Sequence, residues 1–151
     1  MFKLNINTET IRVSKTAIST QVFSQLYFQI NDTFFPAEYW DDFSVIVLNW
    51  WLREARHMVE GFKSTFSFMD GPYFFDITLK NNICKIDFIE DRDNIKKLII
   101  SIEITYDDYL KILKKSVNQL LRNLPPEAQN LKEVEDLKSE FKLLQKKGFV
   151  A

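Results

Sequence analysis

The sequence predicts an α+β fold: an antiparallel sheet of about five or six strands, packed by a central helix and followed by a C-terminal helical hairpin. Apolar residues alternate with polar ones along residues 64–104, which favours a meander of antiparallel strands. Apolar residues recur at three- and four-residue steps in 41–60 and again in 106–147, which is typical of amphipathic helices. No linker or repeat divides the chain, so residues 1–151 are expected to form a single domain.

The N-terminal third precedes the central helix. Two weakly alternating segments within residues 2–14 predict a first strand or hairpin, and residues 21–30 predict a strand more clearly. A helix then starts at Asp41 or Asp42, because either carboxylate can accept the unpaired N–H groups of a first turn. Gly61 is expected to end that helix.

The meander of residues 64–104 contains three turn signals. These are Asp70-Gly71-Pro72, the pair Asn81-Asn82, and a charged loop over Glu90–Asn94. Between the turns, one face of the strands is expected to point inward. The inward residues are Tyr73, Phe75, Ile77, Leu79, Cys84, Ile86, Phe88, Leu98, Ile100, Ile102 and Ile104.

The last third is expected to be a pair of helices. Thr105 through Asp108 form a capping box that opens the first helix. Pro125-Pro126 stops that helix, and the second helix is expected over residues 127–147 with Gly148 at its end.

Composition narrows the class of function. The 151 residues carry a net charge of −1, so the chain lacks the basic excess of nucleic-acid-binding proteins. Its N-terminus has no continuous apolar segment of the signal-peptide kind, and the longest apolar run, Val45–Leu48, is far too short to cross a membrane. We therefore expect a cytoplasmic protein that binds neither nucleic acid nor membrane.

The sequence offers no catalytic, cofactor or metal site. Cys84 and His57 are the single residues of their kinds, and Cys84 alternates with the residues of a strand as a buried apolar side chain would. His57 fits a solvated helix position better than a catalytic base. The acidic residues around Glu90 lack the glycine-centred spacing of a calcium loop. We expect a protein that is not an enzyme and needs no cofactor.

Trp50 and Trp51 are the aromatic residues that point beyond folding. Adjacent helix residues diverge by about 100°, so one indole is expected to face the sheet and the other to lie at the edge of the core. Large aromatic side chains near a surface often anchor protein contacts. Trp50 is therefore a candidate partner-binding residue.

Four short motifs carry a family resemblance: Phe35-Pro36, Trp40-Asp-Asp-Phe43, Leu48-Asn-Trp-Trp-Leu52 and Phe68-Met-Asp-Gly-Pro-Tyr73. Together they resemble immunity proteins of bacterial polymorphic-toxin and contact-dependent inhibition systems, over residues 34–80. The resemblance implies a non-enzymatic cytoplasmic protein that binds and neutralises one cognate toxin domain.

The toxin-binding surface has a second set of candidates. An inhibitor of a nuclease commonly offers carboxylates to a basic active site, and complementary charge speeds association. The candidate carboxylates in this chain are Asp87, Glu90, Asp91 and Asp93. Lys96 and Lys97 follow them closely in the sequence and dilute their negative charge.

A second hypothesis is a small-ligand-binding or structural accessory domain. It requires an enclosed, aromatic-lined cavity between the sheet and the central helix. The oligomeric state is open, because the apolar stripe of a packed helix hairpin and that of a dimer interface look alike.

Overall fold

The computed structural model describes residues 1–148 and confirms the α+β class. The last three residues of the expected 1–151 domain lie outside the described part. Residues 1–148 hold two four-stranded antiparallel sheets, three α-helices and one 3₁₀ turn. The strands are β1 (Phe2–Lys15), β2 (Thr20–Ile30), β3 (Thr33–Phe35), β4 (Asp41–Asp42), β5 (Lys63–Ser67), β6 (Tyr73–Lys80), β7 (Ile83–Arg92) and β8 (Ile95–Thr105). The helices are α1 (Ser44–Arg56), α2 (Tyr106–Arg122) and α3 (Lys132–Gly148).

The N-terminal sheet has the order β1-β2-β3, with β4 also paired to β2. Of the two alternatives for residues 2–14, the structure has the single strand, and its pairing with β2 is irregular between Asn7 and Arg12. The other sheet, which we call the meander sheet, has the order β5-β6-β7-β8. Its strands follow the chain order, as the alternating pattern of residues 64–104 predicts.

An aromatic cluster joins the two sheets to α1. The ring centroid of Phe28 on β2 lies 5.6 Å from that of Trp51 on α1 and 5.0 Å from that of Phe75 on β6. Phe88 on β7 is 5.2 Å from the same Phe28 ring. Each such aromatic pair contributes about 0.5–1.5 kcal/mol beyond the area that it buries. The cluster fixes α1 across both sheets.

The central helix is shorter than the predicted 41–60. Asp41 and Asp42 belong to β4, where they pair with β2, and Asp42 accepts the N–H of Phe43 rather than an N–H of the first helical turn. The predicted aspartate cap is therefore wrong. Gly61 does not end the helix either, because α1 stops at Arg56.

The turns of the meander sheet follow the sequence signals with one correction. Asn81 and Asn82 adopt left-handed φ angles of 53° and 64°, which confirms the compact turn. The charged loop is shorter than predicted, because β7 continues to Arg92 and only Asp93 and Asn94 form the turn, with φ angles of 55° and 62°. Glu90 and Asp91 are therefore strand residues.

A β-bulge overturns the predicted orientation of Leu98. Phe88 pairs with Ile100 whereas Ile89 pairs with Leu98, so Ile99 is an extra residue on β8. One extra residue inverts the facing of every side chain beyond it. Leu98 consequently points away from the core and is 57% exposed.

The C-terminal helices begin with the predicted cap and then depart from the prediction. The Thr105 hydroxyl accepts the N–H of Asp108 at 3.1 Å. The segment at Pro126–Ala128 forms a 3₁₀ turn, so α3 starts at Lys132 instead of residue 127. Pro125 and Pro126 both lack an N–H, which favours this break.

Helix α3 packs mainly against α1, with fewer contacts to its sequence neighbour α2. Glu140 on α3 is nearly buried, and its carboxylate lies 3.1 Å from Arg56 and 3.5 Å from Arg53, both on α1. Helix α3 therefore packs over the side of α1 that carries Arg53 and Arg56.

Candidate functional site

The motifs around Trp40 and Asp70 meet at the buried carboxylate of Asp42. Its oxygens accept the indole N–H of Trp40 at 3.0 Å, the backbone N–H of Phe43 at 2.7 Å and that of Asp70 at 3.3 Å. Burial raises the pKa of Asp42, and these hydrogen bonds oppose that rise. This carboxylate is held as a structural junction between two loops.

Gly71 allows those loops to approach closely. Its φ angle is 72°, and an added Cβ would lie 2.9 Å from the Tyr73 ring and 3.0 Å from the Trp40 ring. A side chain at this position would meet both strain and crowding. Trp40 and Tyr73 pack edge to face at 5.2 Å beside it. The Asp-Gly-Pro turn thus brings the loop after β5 against Trp40.

The adjacent tryptophans of α1 separate as their helical spacing predicts. Trp51 is fully buried, and its indole N–H donates to the carbonyl of Ser67 at 2.8 Å. Ser67 lies at the end of β5, an edge strand of the meander sheet. Trp50 is half-buried and lies at the surface beside the same strand.

An open groove of about 470 Å³ runs between α1 and β5. Met69 at its end is 37% exposed. Arg53 and Glu54 are exposed on the α1 side, so an apolar floor has charged groups of both signs at its rim. We call it the Trp50 groove; it is lined by Trp50, Trp51, Arg53, Glu54, Thr65, Phe66, Ser67, Phe68 and Met69.

The four candidate carboxylates do not form one patch. Asp87 and Asp91 lie on the outer face of β7, whereas Glu90 shares the opposite face with Phe88. Asp93 lies in the exposed turn that follows.

Two of these carboxylates are also engaged within the hairpin of β7 and β8. Asp87 accepts the Ser101 hydroxyl at 2.5 Å, and Glu90 lies 3.1 Å from Arg92. Asp91 lies opposite Lys96 in the strand register. Trp50 lies at the other edge of the sheet, so the structure does not join it to the carboxylates.

Groups capable of catalysis are scattered. Cys84 is fully buried, and burial raises the pKa of its thiol to about 11, which keeps it protonated at neutral pH. His57 is exposed, with Nδ1 2.9 Å from the carbonyl oxygen of Arg53. Within residues 1–148, no three His, Cys, Asp or Glu side chains are grouped so that they could hold a metal ion.

The sequence argument missed the exposed apolar residues of β8. Ile95 is 71% exposed, Leu98 57% and Ile99 37%. The consecutive run Leu98-Ile99-Ile100 contained a signal for this, because three adjacent strand residues cannot all face one core.

In comparisons with known proteins, no protein-family model, curated protein or solved structure matches the chain. None of the helices within residues 1–148 combines the length and the hydropathy that crossing a membrane requires.

Proposed function

We propose that this protein is a non-enzymatic immunity protein that acts in the bacterial cytoplasm and uses the Trp50 groove to bind and neutralise a cognate toxin domain. The family resemblance over residues 34–80 supports the proposal. Two of the resembling motifs supply four of the nine residues that line the groove, namely Trp50, Trp51, Phe68 and Met69.

The observation that carries the proposal is the open groove with half-buried Trp50 on one side and exposed Met69 at its end. Tryptophan is among the residues that contribute most to protein interfaces, and methionine adapts its shape to a partner. Arg53 and Glu54 at the rim provide polar contacts around an apolar centre, which is the usual anatomy of an interface.

The geometry does not favour the alternative of a ligand held between sheet and helix. Trp51, Phe28 and Phe75 occupy that space, are fully buried and have ring centroids 5.0–5.6 Å apart. A ligand there would have to displace packed aromatic rings, each of which contributes several kcal/mol of burial.

The test begins with the neighbouring open reading frame, which the proposal predicts to encode a toxin domain. Cells that express that domain are expected to survive only when this protein is co-expressed, and the two purified proteins should form a complex. A Trp50→Ala substitution is expected to weaken the complex by about 2 kcal/mol, or about 30-fold in Kd.

Phe62→Ala is the matched control, because Phe62 is 68% exposed and does not line the groove. It should leave the affinity unchanged. Failure of the unaltered protein to rescue the cells would overturn the proposed function. If Trp50→Ala leaves rescue, binding and the melting temperature unchanged, the groove is not the surface that binds the toxin.

A further inference from the structure

Strand β8 ends the meander sheet with a bare edge. It is eleven residues long, and within residues 1–148 only β7 pairs with it. Its exposed apolar residues are Ile95, Leu98 and Ile99. A long apolar edge strand presents unpaired N–H and C=O groups to any other extended chain.

Two other sheet edges in this protein, β5 and β1, are contacted by helices. On β5, the indole of Trp51 donates to the carbonyl of Ser67 at 2.8 Å. On β1, the hydroxyl of Ser116 from α2 donates to the carbonyl of Leu4 at 3.2 Å. Among the hydrogen bonds of residues 1–148, none of this kind reaches the backbone of β8, although it is the most apolar of the three strands.

The charges of β8 are arranged so that the strand complements itself. Lys96 and Lys97 stand near its beginning, and Glu103 stands near its end. An antiparallel copy of the same strand therefore brings the positive end of one strand to the negative end of the other. Lysines on an edge strand usually oppose pairing, but in this arrangement Lys96 meets the carboxylate of Glu103.

The bulge brings the paired charges to one face. Lys96 lies opposite Asp91, and Glu103 lies opposite Lys85, both on the outer face of the sheet. Seven positions separate Lys96 from Glu103, which in a regular strand would put them on opposite faces. The extra residue Ile99 restores a shared face.

We propose that a second copy of this chain pairs antiparallel with β8 to form a continuous eight-stranded sheet across a two-fold axis at Ile100. Lys96 then faces the partner's Glu103 on the outer face. Ile95 faces the partner's Ile104 on the inner face, which buries a side chain that is otherwise 71% exposed. A two-fold axis of this kind makes the same patch serve on both subunits.

The dimer leaves the proposed toxin-binding groove open. The Trp50 groove lies along β5, at the opposite edge of the same sheet. Dimer formation and toxin binding therefore fail or succeed independently of each other.

Charge exchange tests the register. Sedimentation equilibrium of the unaltered protein should give twice the monomer mass of 18.0 kDa. Lys96→Glu or Glu103→Lys alone places like charges together at both ends of the interface. Each cross-strand pair is worth up to about 1 kcal/mol, so either change should raise the dimer Kd about 10-fold.

The double variant Lys96→Glu/Glu103→Lys is the decisive control. It should restore the Kd of the unaltered protein, even though each substitution also places a like charge opposite a charged residue of β7. Amide exchange in Ile95–Thr105 should slow as the protein concentration rises. A monomer at all concentrations, a dimer that the single variants leave intact, or protection of β8 only when another protein is added would each overturn the proposal.

Discussion

The two edges of the meander sheet are built in contrasting ways. The β5 edge is five residues long, mostly polar, and covered by α1 through the hydrogen bond from Trp51 to Ser67. The β8 edge is eleven residues long and rich in isoleucine, yet only β7 pairs with it within residues 1–148. From apolar content alone, β8 would be expected to be the covered edge and β5 the uncovered one.

Strand position in the topology explains the contrast. Phe66, the one large apolar residue of β5, is fully buried because α1 and α2 pack over that side of the sheet. Ile95 and Leu98 lie beyond the core, on a hairpin that extends past the packed region. An apolar strand that the fold leaves uncovered is expected to meet a partner.

The largest expected effect comes from removing the cover of β5. Trp51→Ala deletes a fully buried indole and its hydrogen bond to Ser67, and should lower the free energy of unfolding by about 3–5 kcal/mol. Chemical denaturation measures the loss, and amide exchange should show that β5 opens. Trp50→Ala is the matched control on the next position of α1.

Trp50 is half-buried, so its removal should cost about 1 kcal/mol or less. Equal losses for Trp51→Ala and Trp50→Ala would show that α1 does not secure this edge.

Much of the meander sheet could be predicted from the sequence. Alternation in Phe75, Ile77 and Leu79 gave the facing of β6, and Asn81-Asn82 gave its turn, because both signals are local. The start of α1 could not be predicted in this way. Asp42 resembles a helix cap in sequence, but its pairing with Ser24 on a distant strand places it in β4.

The candidate site was less accessible to sequence reasoning. The divergence of Trp50 and Trp51 follows from helical geometry, yet the groove beside Trp50 depends on where β5 lies. The carboxylates Asp87, Glu90 and Asp91 are close in sequence, and strand alternation then divides them between two faces. The bulge at Ile99 is a local irregularity that reverses the facing of Leu98 without interrupting the apolar pattern.

Cys84 can report how readily the β8 side opens, because it lies on β7 directly opposite Ile104. Burial raises its thiol pKa from 9.0 to about 11, so the thiolate fraction near neutral pH falls about 100-fold. Alkylation of the native protein at pH 8 should be at least that much slower than in guanidinium chloride. Labelling at the denatured-state rate would show that β8 is detached in solution.

The same pKa shift gives the direction of a pH effect. A raised pKa means that the folded state favours the protonated thiol. The corresponding contribution to stability is fully present below pH 9 and is lost as the pH rises through about 11. Cys84→Ala should remove this part of the alkaline decline in the free energy of unfolding.

A similarly small effect is expected at the junction where β8 continues into α2. Thr105 ends β8, and its hydroxyl caps α2 by accepting the N–H of Asp108 at 3.1 Å. Thr105→Ala should cost about 1 kcal/mol by denaturation, and Thr105→Ser should keep most of that stability because the hydroxyl remains. If the cap also anchors β8, Thr105→Ala will accelerate Cys84 alkylation more than Thr105→Ser does. Equal alkylation rates in the two variants would mean that pairing with β7 alone holds the edge strand in place.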